Sequence, residues 1–240
     1  REQTHRSILR NCQEETYEFC EAALEDDRAH MIEELGDVLM QVAFHTCIEE
    51  ERGRFTMDDV CDGVCKKLIF RHPHVFGSEV TCNTSDEVLT TWDQVKRQEK
   101  DQKTVTDTLD SVARTLPALW RAEKITRKAA KAGFGYVSLA SALDELEQKL
   151  QTLRASALQG SGVQQALGDL LFSLSCLSGM LEQDPEQALH AACERFIARF
   201  DALEQAAGGA NALETMTREE LAKLWAIAKK QAVREVQENQ

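Results

Sequence analysis

Proline is scarce in this chain, three residues in 240 at Pro73, Pro117 and Pro185, and β-branched alternation is rare. Proline breaks helices and strict alternation marks strands, so both scarcities argue for helices with short connections. No apolar run is long enough to span a bilayer, and no signal-peptide pattern opens the chain. A cytoplasmic protein with no membrane partner is expected. Positive charge is also short: 28 Lys and Arg stand against 41 Asp and Glu, a net charge of -13. A duplex-binding surface needs dense cationic charge, so no nucleic-acid partner is expected. Paired cysteines at the two-residue spacing of structural zinc sites are missing, although Cys61 and Cys65 lie one helical turn apart and His72 and His74 follow. The eight cysteines of this acidic chain read as reduced thiols.

Present instead is a recurring apolar spacing of three and four, as in Leu35, Val38, Leu39 and Val42, then Leu167, Leu170, Leu171, Leu174 and Leu177. It predicts an all-α helical bundle. One irregular segment, "RHPHVFGSEVTCNTSDE", carries loop residues, with Ser85 suited to cap the next helix. A softer stretch, "DQKTVTDTLDSVARTLP", is the expected link between two halves. Those halves echo each other. "ELGDVLMQVA" at Glu34 to Ala43 returns as "ALGDLLFSLS" at Ala166 to Ser175, and Trp92/Lys96 returns as Trp225/Lys229. Tandem helical units over residues 1–105 and 106–240 are expected, each of four-helix type.

Acids stand where apolar residues belong. Ile8, Cys12, Glu15, Phe19 and Ala22 recur on one helical stripe, and Glu14 and Glu18 lie a turn apart on nearly the same side. On the following helix Glu34 and Asp37 are three apart, and Gln41, Phe44 and Ile48 continue the face of Asp37. A short polar turn near Asp26 to Ala29 would make the two helices antiparallel and bring Glu15, Glu18, Glu34 and Asp37 together. Four hard oxygen donors without His or Cys are a Mg²⁺ or Mn²⁺ set. Spacing alone leaves a second reading open, an exposed Glu-rich surface. Lys67, Arg71 and Lys96 could neutralise phosphate charge and Trp92 could stack on a base or sugar; a solvated face and a core tryptophan serve equally well.

With "EETYE" at Glu14, Glu15 and Glu18, "ELGD" at Glu34 and Asp37, "RHPHVF" at Arg71 to Phe76 and "EQTH" at Glu2 to His5, the chain resembles the tandem MazG-type nucleoside triphosphate pyrophosphohydrolases of the all-α NTP pyrophosphatase superfamily. The resemblance runs over nearly the whole chain. The Cys-Pro-Trp-Asp run that usually precedes "EQTH" is absent, so a truncated or fused N-terminus is expected. The resemblance implies an all-helical homodimer that hydrolyses nucleoside triphosphates to nucleoside monophosphate and pyrophosphate. It implies Mg²⁺ (or Mn²⁺) on Glu15, Glu18, Glu34 and Asp37, nucleotide contacts from Lys67, Arg71, Trp92 and Lys96, and Glu14 or Glu33 orienting the attacking water. His30 and Glu33 match positions of further nucleotide contacts.

The second unit departs from this pattern. "DELEQKLQTL" offers no matching third acid and "ALGD" puts Ala166 where an acid should stand, leaving Asp169 alone. It is expected to be catalytically dead, with activity confined to the first unit. Two other classes compete: a catalytically inactive helical nucleotide-binding or regulatory dimer, and a di-iron carboxylate bundle. The bundle would need Glu-x-x-His pairs, and Glu2–His5 and the near miss Asp27–His30 lie off the acidic stripe.

Overall fold

The computed structural model describes residues 3–76 and 103–238, and among these every regular element is a helix. The chain divides into two compact units, Arg1–Asp101 and Gln102–Gln240. No helix among the described residues is long and apolar enough to cross a membrane.

The first unit contains α1 (His5–Leu24), α2 (Arg28–Glu51), α3 (Met57–Arg71) and the single turn α4 (Pro73–Phe76). Thr4 opens α1 with a reciprocal cap: its hydroxyl accepts from the Ser7 amide, and the Ser7 hydroxyl accepts from the Thr4 amide. The chain then reverses within three residues. Asp26 takes the left-handed conformation at φ 55°, which aspartate tolerates, and the Asp27 carboxylate accepts from the Ala29 and His30 amides to start α2. The result is an antiparallel hairpin, so His5 at the start of α1 meets His45 and Glu49 near the end of α2.

Along α1 the predicted stripe is the covered one: Ile8 and Ala22 are buried, and Cys12, Glu15 and Phe19 are half-buried. On α2 the covered face is polar, formed by Glu34, Gln41, Thr46 and Glu49. Its apolar residues turn the other way, with Leu35 51%, Leu39 65% and Val42 39% exposed. The face read from the sequence through Asp37, Gln41 and Ile48 is the covered one, apart from Phe44 at 47% exposure, while the apolar row of Leu35, Leu39 and Val42 lies open. Thr56 and Asp59 form a second reciprocal cap at the start of α3, where Asp58 and Asp59 also complement the helix dipole.

The second unit contains α5 (Val105–Asp110), α6 (Ala118–Lys131), α7 (Leu139–Gln159), α8 (Val163–Met180), α9 (Pro185–Ala207), α10 (Ala210–Leu213) and α11 (Arg218–Glu238). The soft stretch expected as a link holds α5, capped reciprocally by Thr104 and Asp107. Helices α7 and α8 make another hairpin through Gly160 and Gly162, both at φ 71°, a conformation glycine adopts without strain. Helix α6 packs on α8, and Trp120 donates its indole N–H to the Asp184 carboxylate at 2.9 Å, tying α6 to the N-terminus of α9. Of the leucines at helical spacing on α8, Leu177 is buried and Leu170 half-buried, while Leu167, Leu171 and Leu174 remain more than 40% exposed. "ELGD" and "ALGD" each lie on the second helix of a hairpin whose turn is three residues long.

Candidate metal centre

The midsection of the α1–α2 hairpin holds the acids. Glu15, Glu18 and Glu34 each offer a carboxylate oxygen, and these oxygens all lie within 4.8 Å of one another. Three carboxylates converge so closely because Glu15 and Glu18 are nearly a turn apart on α1 while Glu34 faces them across the seam. Asp37, half-buried one turn beyond Glu34, completes the acidic surroundings: its charge acts on Glu15.

Electrostatics register the crowding. Partial burial pushes the Glu15 carboxyl above its usual range, and the charge of Asp37, the charge and hydrogen bond of Glu18, and the charge of Glu34 push it further. Glu34 is the most deeply placed, 6% exposed, with its Oε2 buried and lacking a hydrogen-bond partner. Its Oε1 lies 2.9 Å from His30 Nε2. The Gln41 Oε1, two turns further along the same helix, is also buried without a partner. A buried carboxylate oxygen without a donor is costly, and adjacent acids raise that cost. A divalent cation satisfies both demands, and an all-oxygen donor set fits a hard ion.

The other expected site residues are distributed as follows. Glu14 is exposed and pairs with Arg10, its Oε1 2.7 Å from Arg10 Nε, and is not among the three clustered acids. Glu33 is exposed beside Glu34. Lys67 and Arg71 stand one turn apart at the end of α3, Lys67 exposed and Arg71 half-buried. Trp92 and Lys96 lie outside the described residues. Among the described residues no second cluster of three metal-competent side chains occurs, and Ala166 in α8 is buried at 6% exposure, as Glu34 is in α2. Sequence spacing assigned no role at the acids to Gln41 or to the His30–Glu34 contact. A four-residue His-to-Glu interval on one helix is the signal that would have found the latter.

A family model described as the MazG nucleotide pyrophosphohydrolase domain matches residues 3–76. A protein of Escherichia coli (strain K12) named nucleoside triphosphate pyrophosphohydrolase is 35% identical over 239 residues, covering 97% of this chain and 90% of its own length. One from Thermotoga maritima named nucleoside triphosphate pyrophosphohydrolase/pyrophosphatase MazG is 37% identical over 230 residues, covering 95% of this chain and 88% of its own. A nucleoside triphosphate pyrophosphohydrolase of Mycolicibacterium smegmatis is 40% identical over 134 residues, covering 55% and 41%.

Proposed function

Because this chain belongs to the MazG nucleoside triphosphate pyrophosphohydrolase family, we propose that it hydrolyses nucleoside triphosphates to nucleoside monophosphate and pyrophosphate through its first unit. The observation that carries this reading is the convergence of Glu15, Glu18 and Glu34, whose carboxylate oxygens lie within 4.8 Å of one another, together with a buried Glu34 Oε2 that has no hydrogen-bond partner. Glu15, Glu18, Glu34 and Asp37 would hold Mg²⁺, with Mn²⁺ as the substitute their oxygens also accept. When bound, the ion screens phosphate charge and lowers the pKa of coordinated water.

The chain's own groups do the rest. Glu33, next to Glu34 in sequence and open to solvent, is one candidate to accept a proton from the attacking water. Glu14 is the other, and it must first leave Arg10. Lys67 and Arg71, with Trp92 and Lys96 by the resemblance, would bind the nucleotide; the cationic groups among them stabilise charge building on the leaving pyrophosphate. The second unit is the degenerate repeat: Ala166 leaves its hairpin without the deep carboxylate. A second copy of the chain would cover the apolar side of α2, where Ile32 is 69% exposed beside Leu35 and Leu39, making a homodimer.

Pyrophosphate release measured over a panel of nucleoside triphosphates with Mg²⁺ tests the proposal. Release by the wild type that disappears in Glu34→Gln supports it. Nucleotide binding without turnover would instead favour the regulatory dimer.

A further inference from the structure

We propose that His30 is a positioning residue of this centre, holding Glu34 so that Oε2 alone is presented to the cation; the inference rests on the acids being a cation site. His30 lies in the first turn of α2, one turn before Glu34, and its Nε2 is 2.9 Å from Glu34 Oε1. The contact is a close nitrogen-to-oxygen approach that becomes an ion pair when the ring carries its second proton. Oε1 is the oxygen that His30 touches, and Oε2 is the buried oxygen without a hydrogen-bond partner.

His30 is itself fixed. Its backbone N–H donates to the Asp27 carboxylate at 3.1 Å, so the helix cap sets where the imidazole starts. From cap to ring to carboxylate, each group holds the next. Glu34 would then offer one oxygen in a preset orientation, which an incoming ion would not have to order. The resemblance assigns His30 to nucleotide contact; here its imidazole is directed to a ligand of the metal.

The test uses Mn²⁺ as a spectroscopic probe on the full chain. Free Mn²⁺ is followed by electron paramagnetic resonance for the wild type, His30→Ala, His30→Gln and Glu34→Gln, with circular dichroism melts to show that each is folded. His30→Ala is expected to weaken Mn²⁺ binding about tenfold. His30→Gln, whose amide can still donate to Oε1, is expected to recover part of that loss. In the Glu34→Gln background, His30→Ala should change nothing further. At saturating metal the KM for nucleotide should stay near the wild-type value. Unchanged Mn²⁺ affinity in a folded His30→Ala protein, or a raised KM with normal metal binding, would overturn the assignment while leaving the metal centre intact. A wild type that binds no Mn²⁺ would sink the centre and this inference together.

Discussion

His5 and His45 meet Nδ1 to Nδ1 at 2.7 Å, their rings within 6° of parallel and their centroids 5.0 Å apart. Such a contact accommodates one hydrogen, since two would repel. His5 Nε2 lies 2.7 Å from Glu49 Oε1 and carries its hydrogen there, so in the neutral pair His45 must donate from Nδ1. In alkaline solution, nitrogen-15 spectra of His45 are expected to report the Nδ1–H tautomer. An Nε2–H form under those conditions would contradict the arrangement.

Glu49 closes the open end of the same hairpin. His5, Arg52 at 2.7 Å and Arg54 at 3.2 Å hold its carboxyl down to about 2, against the opposing effect of burial. A depressed carboxyl stabilises the fold in full above the unfolded value, about 4.3, and loses that contribution as pH falls through the folded one. Melting temperature is therefore expected to decline below the ordinary carboxylate range. Glu49→Gln should melt lower at neutral pH and show a flatter acid limb. An unchanged acid limb in that variant would assign the sensitivity elsewhere.

Glu34→Gln removes one ligand without changing side-chain size. Turnover is expected to fall roughly 100-fold or more, since even an outer partner of a metal ligand is worth 10–100-fold. Without added metal the variant should melt no lower than the wild type, because a buried charge has been removed. Steady-state kinetics and a metal-free melt check the two halves of this expectation. Residual activity near the wild-type level would point to the second unit as a working site.

Magnesium should raise the melting temperature of the wild type. At about a hundred times the dissociation constant the gain is about 2.7 kcal/mol, roughly 5–10 °C. The pH dependence has a defined sign. Glu15 is pushed up, so without the ion its contribution is intact in acid and is lost as pH rises through the folded value. The magnesium effect should accordingly grow from acid to neutral pH. Calorimetry with and without chelator at two pH values decides it.

The apolar side of α2 gives a fifth expectation. Leu39, 65% exposed, can take a charge without disturbing the α1–α2 seam. Leu39→Asp should leave helix content unchanged and convert a dimer to a monomer at micromolar concentration, read by sedimentation equilibrium. A wild type that sediments as a monomer would remove the proposed homodimer.

How much of this was legible in the sequence differs between α1 and α2. On α1, five residues at helical spacing mark the covered stripe, and Glu15 is visible there as an acid out of place. Packing made that stripe the seam. On α2 the same periodicity misleads, because Leu35, Leu39 and Val42 form the most regular apolar row yet face away from α1. Helix periodicity reports which residues share a face, while the choice of face depends on the partner, and here the partner brings carboxylates. The contacts of His5 with His45 and with Glu49 span 40 and 44 residues, and no local pattern encodes them.

Ala166 has a consequence for the molecule's response to scarcity. Its methyl group rests as deep in the second hairpin as the Glu34 carboxylate does in the first, and it makes no electrostatic demand. Folding of that half is therefore expected to be independent of divalent ions. When chelators strip divalent metal, proteases should therefore nick the leading hairpin first, leaving a trailing fragment that stays intact through the famine.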